Sequence, residues 1–192
     1  MTDTSQPRRI ASTTRAAGRF LRLDELLYLD RQGRERRWES AGRQGAATAV
    51  LVVPTLRPSG RLLLIRQYRP PVDALVIEFP AGLLDPGETP DEAAVRELFE
   101  ETGYRGAVRW IGPQTCSSPG MTSEGVRLVL MDIDELLPEN RQPKACPDEG
   151  EDIEVCPVGL DGLADFLRSQ QDAGACVDSR TAAYVLGLGV VW

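Results

Sequence analysis

Histidine is missing altogether from the 192 residues, and lysine occurs once, at Lys144. Without an imidazole there is no Ser-His-Asp or Cys-His relay and no histidine-ligated metal. Proton transfers in any hydrolytic chemistry then fall to carboxylates and to water activated by a metal ion. Cysteine is sparse: Cys116, Cys146, Cys156 and Cys176 stand far apart, with no C-x-x-C pair. That spacing speaks against a zinc site or a disulfide framework and for reduced thiols in a cytoplasmic protein. No apolar run approaches about 20 residues, so no segment is expected to span a membrane. The first nine residues are polar and lack the apolar centre of a signal peptide. A net charge of −7 leaves no basic footprint for nucleic acid.

The chain does have the makings of an ordinary core. It is 42% hydrophobic and 27% charged, which is a globular rather than a disordered composition. Its length suits one compact domain with a small accessory element. Residues 1–17 read as a disordered tail. Residues 20–29 and 34–40 read as two strands joined by a turn at Asp30-Arg31-Gln32-Gly33, a hairpin too small to be stable unless it packs on something. This N-terminal β element covers 18–45, and the main domain covers 46–192. Within the main domain, strands are expected at 46–56, 61–68, 75–79, 107–111, 126–133 and 153–158. Amphipathic helices are expected at 161–171 and 178–188. The polar connection 134–150, with Pro138, Pro143 and Pro147, is long enough to be functional or disordered. Strands interleaved with few helices indicate an α/β sandwich.

The most informative stretch is GLLDPGETPDEAAVRELFEETGY, residues 82–104. Asp85-Pro86-Gly87 forms a loop, Pro90 supplies a first helical turn, and Gly103 marks the helix end. On that helix Glu97, Glu100 and Glu101 fall within roughly a quarter-turn of one another. They also lie toward the C-terminal end, where the helix dipole already disfavours negative charge. Carboxylates crowded this way repel unless something positive sits between them, and hard oxygen ligands suit Mg²⁺, or Mn²⁺ in its place. A solvated acidic face is the plainer alternative.

Gly82, Glu88, Arg96, Glu97, Leu98, Glu100, Glu101, Gly103 and Tyr104 fill every fixed place of the pattern G-x5-E-x7-R-E-U-x-E-E-x-G-U, where U is a bulky apolar residue. The stretch thus resembles the Nudix hydrolases, which hydrolyse nucleoside diphosphates linked to another moiety. Arg66-Gln67-Tyr68-Arg69-Pro70-Pro71, Ile77-Glu78-Phe79-Pro80-Ala81-Gly82-Leu83, Ser118-Pro119-Gly120 and Arg37-Trp38-Glu39-Ser40 are similar to the ADP-ribose pyrophosphatase, or ADP-sugar diphosphatase, branch.

The resemblance implies an α/β/α sandwich and a small N-terminal β hairpin used in building a homodimer. It implies metal ligation by Glu97, Glu100, Glu101 and the carbonyl of Ala81, with Glu88 and Arg96 as a structural charge pair. It puts an acidic base on the late loop, where Glu149, Glu151 and Asp152 stand and Glu151 is in register. It further implies adenine stacking on Phe20 and Trp38 from different subunits, with Arg43, Arg69, Glu78 and Leu83 around the rest of the substrate. Relatives often carry tryptophan where this chain has Phe20, and some carry an acid where it has Ser118. The expected activity is Mg²⁺-dependent hydrolysis of ADP-ribose to AMP and ribose 5-phosphate. The box itself handles only the diphosphate, so ADP-glucose or an oxidised deoxynucleoside diphosphate are alternative substrates. A silent nucleotide-sugar sensor is a further alternative, one that has no need of the three intact carboxylates.

Overall fold

The computed structural model describes residues 6–45, 48–147 and 150–192; Glu149 lies outside them. Contacts divide the chain into two units, Met1–Ala49 with Gln114–Val126, and Val50–Pro113 with Arg127–Trp192.

The first unit holds an antiparallel sheet of β1 (Arg8–Ala17), β2 (Leu21–Leu29) and β3 (Glu35–Arg43), in that order. The turn between β2 and β3 is closed by Asp30. Its carboxylate accepts hydrogen bonds from the amides of Gln32 (2.9 Å) and Arg34 (3.0 Å) and from the Arg34 guanidinium (2.9 Å). Desolvation pushes this carboxyl up, but those bonds and one from Arg36 outweigh it and hold it at about 2.

β1 corrects the expectation of a disordered tail over 1–17: from Arg8 the chain pairs along the whole of β2. Every β1 residue is exposed, so no apolar alternation advertised the strand. It is held by the backbone ladder and by cross-strand pairs, Thr14 Oγ1 to Asp24 (2.7 Å) and Arg15 to Glu25 (2.7 Å).

The second unit is built on a mixed sheet. Its strands are β4 (Thr48–Arg57), β5 (Leu62–Arg69), β6 (Ala74–Glu78), β7 (Ala81–Leu83), β8 (Ala107–Cys116), β9 (Gly125–Asp134), β10 (Ile153–Val158) and β11 (Cys176–Val177). The order is β11-β6-β5-β4-β9-β8, with β10 on β5 and β7 on β4. Residues 50–53 are all buried because both sheet faces are covered. On one face, α1 (Pro90–Thr102) buries Ala93, Ala94 and Leu98 against Val50, Val52, Leu56, Leu63, Val129, Met131 and Ile133. α2 (Pro138–Arg141) is a single turn. On the other face lie α3 (Leu163–Asp172) and α4 (Ser179–Gly187). There Arg66 of β5 reaches Gln170 of α3 (2.9 Å), and Phe79 meets the Tyr184 ring edge-on at 5.4 Å. Leu63 and Arg66 thus show the period-two alternation that separates the two helical layers. This is the α/β/α sandwich expected. Among the described residues no helix is long and apolar enough to cross a membrane.

The connection expected over 134–150 is ordered where described. Asn140 is buried and exchanges hydrogen bonds with the Arg105 amide (2.8 Å) and carbonyl (2.9 Å). The Cys146 amide donates to the Glu100 carbonyl at 2.8 Å, capping the C-terminal turn of α1. Gly103 has φ 75°, and a Cβ there would stand 2.4 Å from the Lys144 backbone, so only glycine admits this strap.

α4 starts at Asp178, whose carboxylate accepts from the amides of Arg180 (2.9 Å) and Thr181 (3.2 Å) and pairs with the Arg180 guanidinium (3.0 Å). Burial pushes this carboxyl up, but the Arg180 hydrogen bond and charge outweigh it and leave it below the ordinary range. A depressed native pKa gives stability that is present above the unfolded value of about 3.9 and lost as pH falls through the native one. Asp178→Ala is expected to cost about 1–2 kcal/mol at pH 7. Chemical denaturation should show the gap from wild type narrowing as pH falls below about 4; a gap that does not change with pH contradicts the charged cap.

Candidate active site

The residues that follow β6 place the acidic cluster. The chain leaves β6 at Glu78, passes Phe79-Pro80, and forms β7 along β4, with the Val52 amide bonded to the Pro80 carbonyl (2.8 Å). A loop then leads into α1. The loop is folded by Glu88, which accepts from the Asp85 amide (2.9 Å). The helix begins in a capping box, where the Glu92 carboxylate takes the amide (2.9 Å) and hydroxyl (2.6 Å) of Thr89.

Arg96 joins loop to helix. Its guanidinium donates to Glu88 (2.8 Å through both Nε and Nη2), to the Leu83 carbonyl (3.0 Å), to Glu97 (2.7 Å) and to Glu100 (3.0 Å). The expected Glu88–Arg96 pair is present, and the same arginine holds two of the three cluster acids. Glu88, above all, keeps Arg96 more firmly protonated than an ordinary arginine.

Glu101 has no share in this. It is 2% exposed and accepts from the Ala81 amide at 3.1 Å. Burial, then the charge of Glu97, pushes its carboxyl up to about 8; Glu151 and Glu78 push the same way. Burial also raises Glu97 against the pull of Arg96. The charge of Glu151 is felt at both Glu97 and Glu101, so the late loop brings it within electrostatic reach of the cluster. Gly82 is required by close approach: a Cβ there would fall 1.8 Å from Glu97 Oε1. Ala81 and Gly82 therefore lie against the very carboxylates that the sequence groups with them.

The donor set fits a hard divalent cation. It is all oxygen, and among the described residues Glu101 is buried with no ion pair to a side-chain cation. Among the described residues, no three acidic, cysteine or histidine side chains already converge as a cage. The reason is on view: Glu97 and Glu100 are turned onto Arg96.

Arg69 and Glu78 form an ion pair at 2.7 Å, with Glu78 buried and its carboxyl raised by that burial despite Arg69. Leu83 is half-buried on β7, and its carbonyl serves Arg96. Phe20, Trp38 and Arg43 belong to the first unit. Phe20 is 65% exposed, with the Arg19 guanidinium over its ring at 4.9 Å. Trp38 is half exposed and donates its indole N–H to the Gly120 carbonyl (2.9 Å). The β2–β3 register sets Leu21 opposite Arg43 and Leu26 opposite Trp38. Phe20 and Trp38 are therefore at least five positions apart along the sheet, about 17 Å, and do not face each other within one chain. Arg43 is ion-paired with Glu124, a partner 81 residues away that no local signal could reveal. The Trp38–Gly120 bond likewise explains the Ser118-Pro119-Gly120 turn, which the sequence marked without a role.

The NUDIX domain profile matches residues 45–171. A Nudix hydrolase of Schizosaccharomyces pombe is 37% identical over 172 residues, covering 86% of this chain and 84% of that protein. The ADP-ribose pyrophosphatase of Saccharomyces cerevisiae is 35% identical, covering 88% and 77%. The ADP-sugar pyrophosphatase of Mus musculus is 35% identical, covering 89% and 82%. Among solved structures, an ADP compounds hydrolase superposes with a TM-score of 0.66 at 25% identity, covering 85% of this chain and 83% of that one.

Gly82→Ala tests the packing just described. The clash falls on the end of a flexible side chain, so the variant is expected to fold with a nearly unchanged melting temperature. Its structure should show Glu97 moved off Arg96, and its turnover should fall about 10²-fold, the scale of a lost charge-stabilising group. Wild-type turnover would remove Glu97 from the site.

Proposed function

The chain belongs to the Nudix family and is a Nudix hydrolase, and on that premise we propose that it hydrolyses the diphosphate of ADP-ribose to AMP and ribose 5-phosphate. The observation that carries the reading is the excess of carboxylate at buried Glu97 and Glu101 and half-buried Glu100, which Arg96 compensates only in part. The names of the yeast and mouse relatives support an ADP-sugar as substrate.

Glu97, Glu100, Glu101 and the Ala81 carbonyl would hold a divalent cation, Mg²⁺ in this reading. When bound, such an ion neutralises the diphosphate and lowers the pKa of water at the site. Glu151 takes the proton of the attacking water, one P–O bond of the diphosphate bridge breaks, and the two phosphate products leave. Arg69, held on a stiff pre-proline segment, is aimed at phosphate or ribose by its pair with Glu78. Leu83 packs beside the substrate.

Phe20 and Trp38 stack on adenine from two subunits of a homodimer. Their separation within one chain supports this, as do the exposed Ile10, Phe20, Leu21, Leu23 and Trp38 of the first unit. Arg43 contributes from the same unit. The four cysteines are free, three of them exposed, which supports a reducing, cytoplasmic setting.

Purified protein incubated with ADP-ribose and Mg²⁺ is expected to release AMP, and no release from any of a panel of ADP-sugars would end the reading. Glu101→Gln or Glu97→Gln should fold and lose about 10²-fold or more in turnover. Glu151→Gln should lower turnover by about 10²–10⁴-fold with little change in substrate affinity; full activity would return the base role to a neighbouring acid. Trp38→Ala should raise KM for ADP-ribose by the equivalent of about 1–3 kcal/mol. Sedimentation should show a dimer; an active monomer would send Phe20 and Trp38 back to packing roles.

A further inference from the structure

Gln67 belongs to the Arg66–Pro71 segment, of which the mechanism uses only Arg69 and the prolines that hold it. It is 6% exposed, and its carboxamide oxygen has no hydrogen-bond partner among the described residues. Buried acceptors of this kind are rare because an unmade hydrogen bond is costly, so the position asks for an external donor.

The register says where that oxygen sits. β5 runs between β6 and β10, with Gln67 opposite Val76 on one side and opposite Ile153 on the other. Leu63, Ile65, Gln67 and Arg69 share the face that packs toward α1, since Leu63 belongs to the α1 core and Arg66 points to α3. On the same face Glu78 lies opposite Ile65, and Arg69 reaches back along the strand to pair with it. The Arg69–Glu78 ion pair therefore spans the level of Gln67. Glu151 precedes Ile153 by two residues and feels the same cluster of charges. An amide oxygen without a partner among the described residues thus stands among the residues assigned to substrate.

The chemistry of the oxygen narrows its ligand. Diphosphate oxygens are acceptors and cannot satisfy it, whereas an O–H can. A carboxamide offers one acceptor and two donors, the match for a sugar hydroxyl that both gives and takes a hydrogen bond. We propose that Gln67 is a substrate-binding residue that hydrogen-bonds a hydroxyl of one of the two sugars flanking the diphosphate. This rests on the ADP-sugar hydrolase reading given above.

Gln67→Met keeps the length of the side chain and removes its polarity, and Gln67→Leu is a second apolar replacement. Because the buried amide oxygen has no partner among the described residues, both are expected to melt at or above the wild-type temperature. With ADP-ribose and Mg²⁺, KM should rise about tenfold, the scale of one lost hydrogen bond, with kcat nearly unchanged. Two analogues locate the hydroxyl. The methyl ester of ADP lacks the distal sugar, and an ADP-ribose with a 2′,3′-dideoxyadenosine lacks the hydroxyls of the proximal one. If the variants match wild type on the first analogue, Gln67 reads the distal sugar; if on the second, the proximal sugar. A KM penalty that persists on both, a loss confined to kcat, unchanged kinetics throughout, or a clear fall in melting temperature would each overturn the proposal. Wild-type protein inactive on ADP-ribose and on the panel of ADP-sugars would instead overturn the function on which it rests.

Discussion

The guanidinium of Arg96 holds together what would otherwise come apart. It bonds Glu88 in the loop, Leu83 on β7, and Glu97 and Glu100 on α1. One cation thereby fixes the loop to the helix and offsets part of the repulsion between acids one turn apart. Glu101 is outside its reach, buried on the amide of Ala81. The site is thus a balance left incomplete by the protein's own charges, and a hard divalent ion is the kind of ligand that completes it. Glycine at position 82 is part of the same balance, because any side chain there would occupy the space of the Glu97 carboxylate.

The frame around this cluster explains how distant segments come to serve it. β6 delivers Glu78, β7 delivers Ala81 to Leu83, and α1 lies across them with its apolar stripe on β4 and β9. The connection from β9 to β10 crosses the end of α1, where Cys146 caps the Glu100 carbonyl and Lys144 passes over Gly103. Glu151 follows a few residues later.

Much of this was legible before any coordinates. The spacing of Glu97, Glu100 and Glu101 put three acids on one helix face, because local helical geometry alone sets those distances. Gly103 marked the helix end, and the Glu88–Arg96 pair that the resemblance implied is present. The second unit's longer strands and both C-terminal helices followed from apolar runs and caps. What stayed hidden was whatever depends on pairing across the chain. β1 is exposed along its whole length and its apolar residues do not alternate with polar ones, so no period-two signal marked it. β7 and β11 are three and two residues long, below the length at which a pattern exists. Arg43 gave no hint of Glu124, nor Trp38 of Gly120, since their partners lie about 80 positions away. Gln67 could not be singled out at all: its interest lies in the absence of a partner, which only a folded chain reveals.

The proposed hydrolysis stands or falls with Glu97 and Glu101 holding one cation together. Equilibrium titration with Mn²⁺, read from the loss of the free-ion electron paramagnetic resonance signal, tests it without reference to turnover. Binding by the wild-type protein that is weakened at least about tenfold in both Glu97→Gln and Glu101→Gln, with both variants folded, is the predicted result. Equal Mn²⁺ affinity in wild type and both variants would contradict the account.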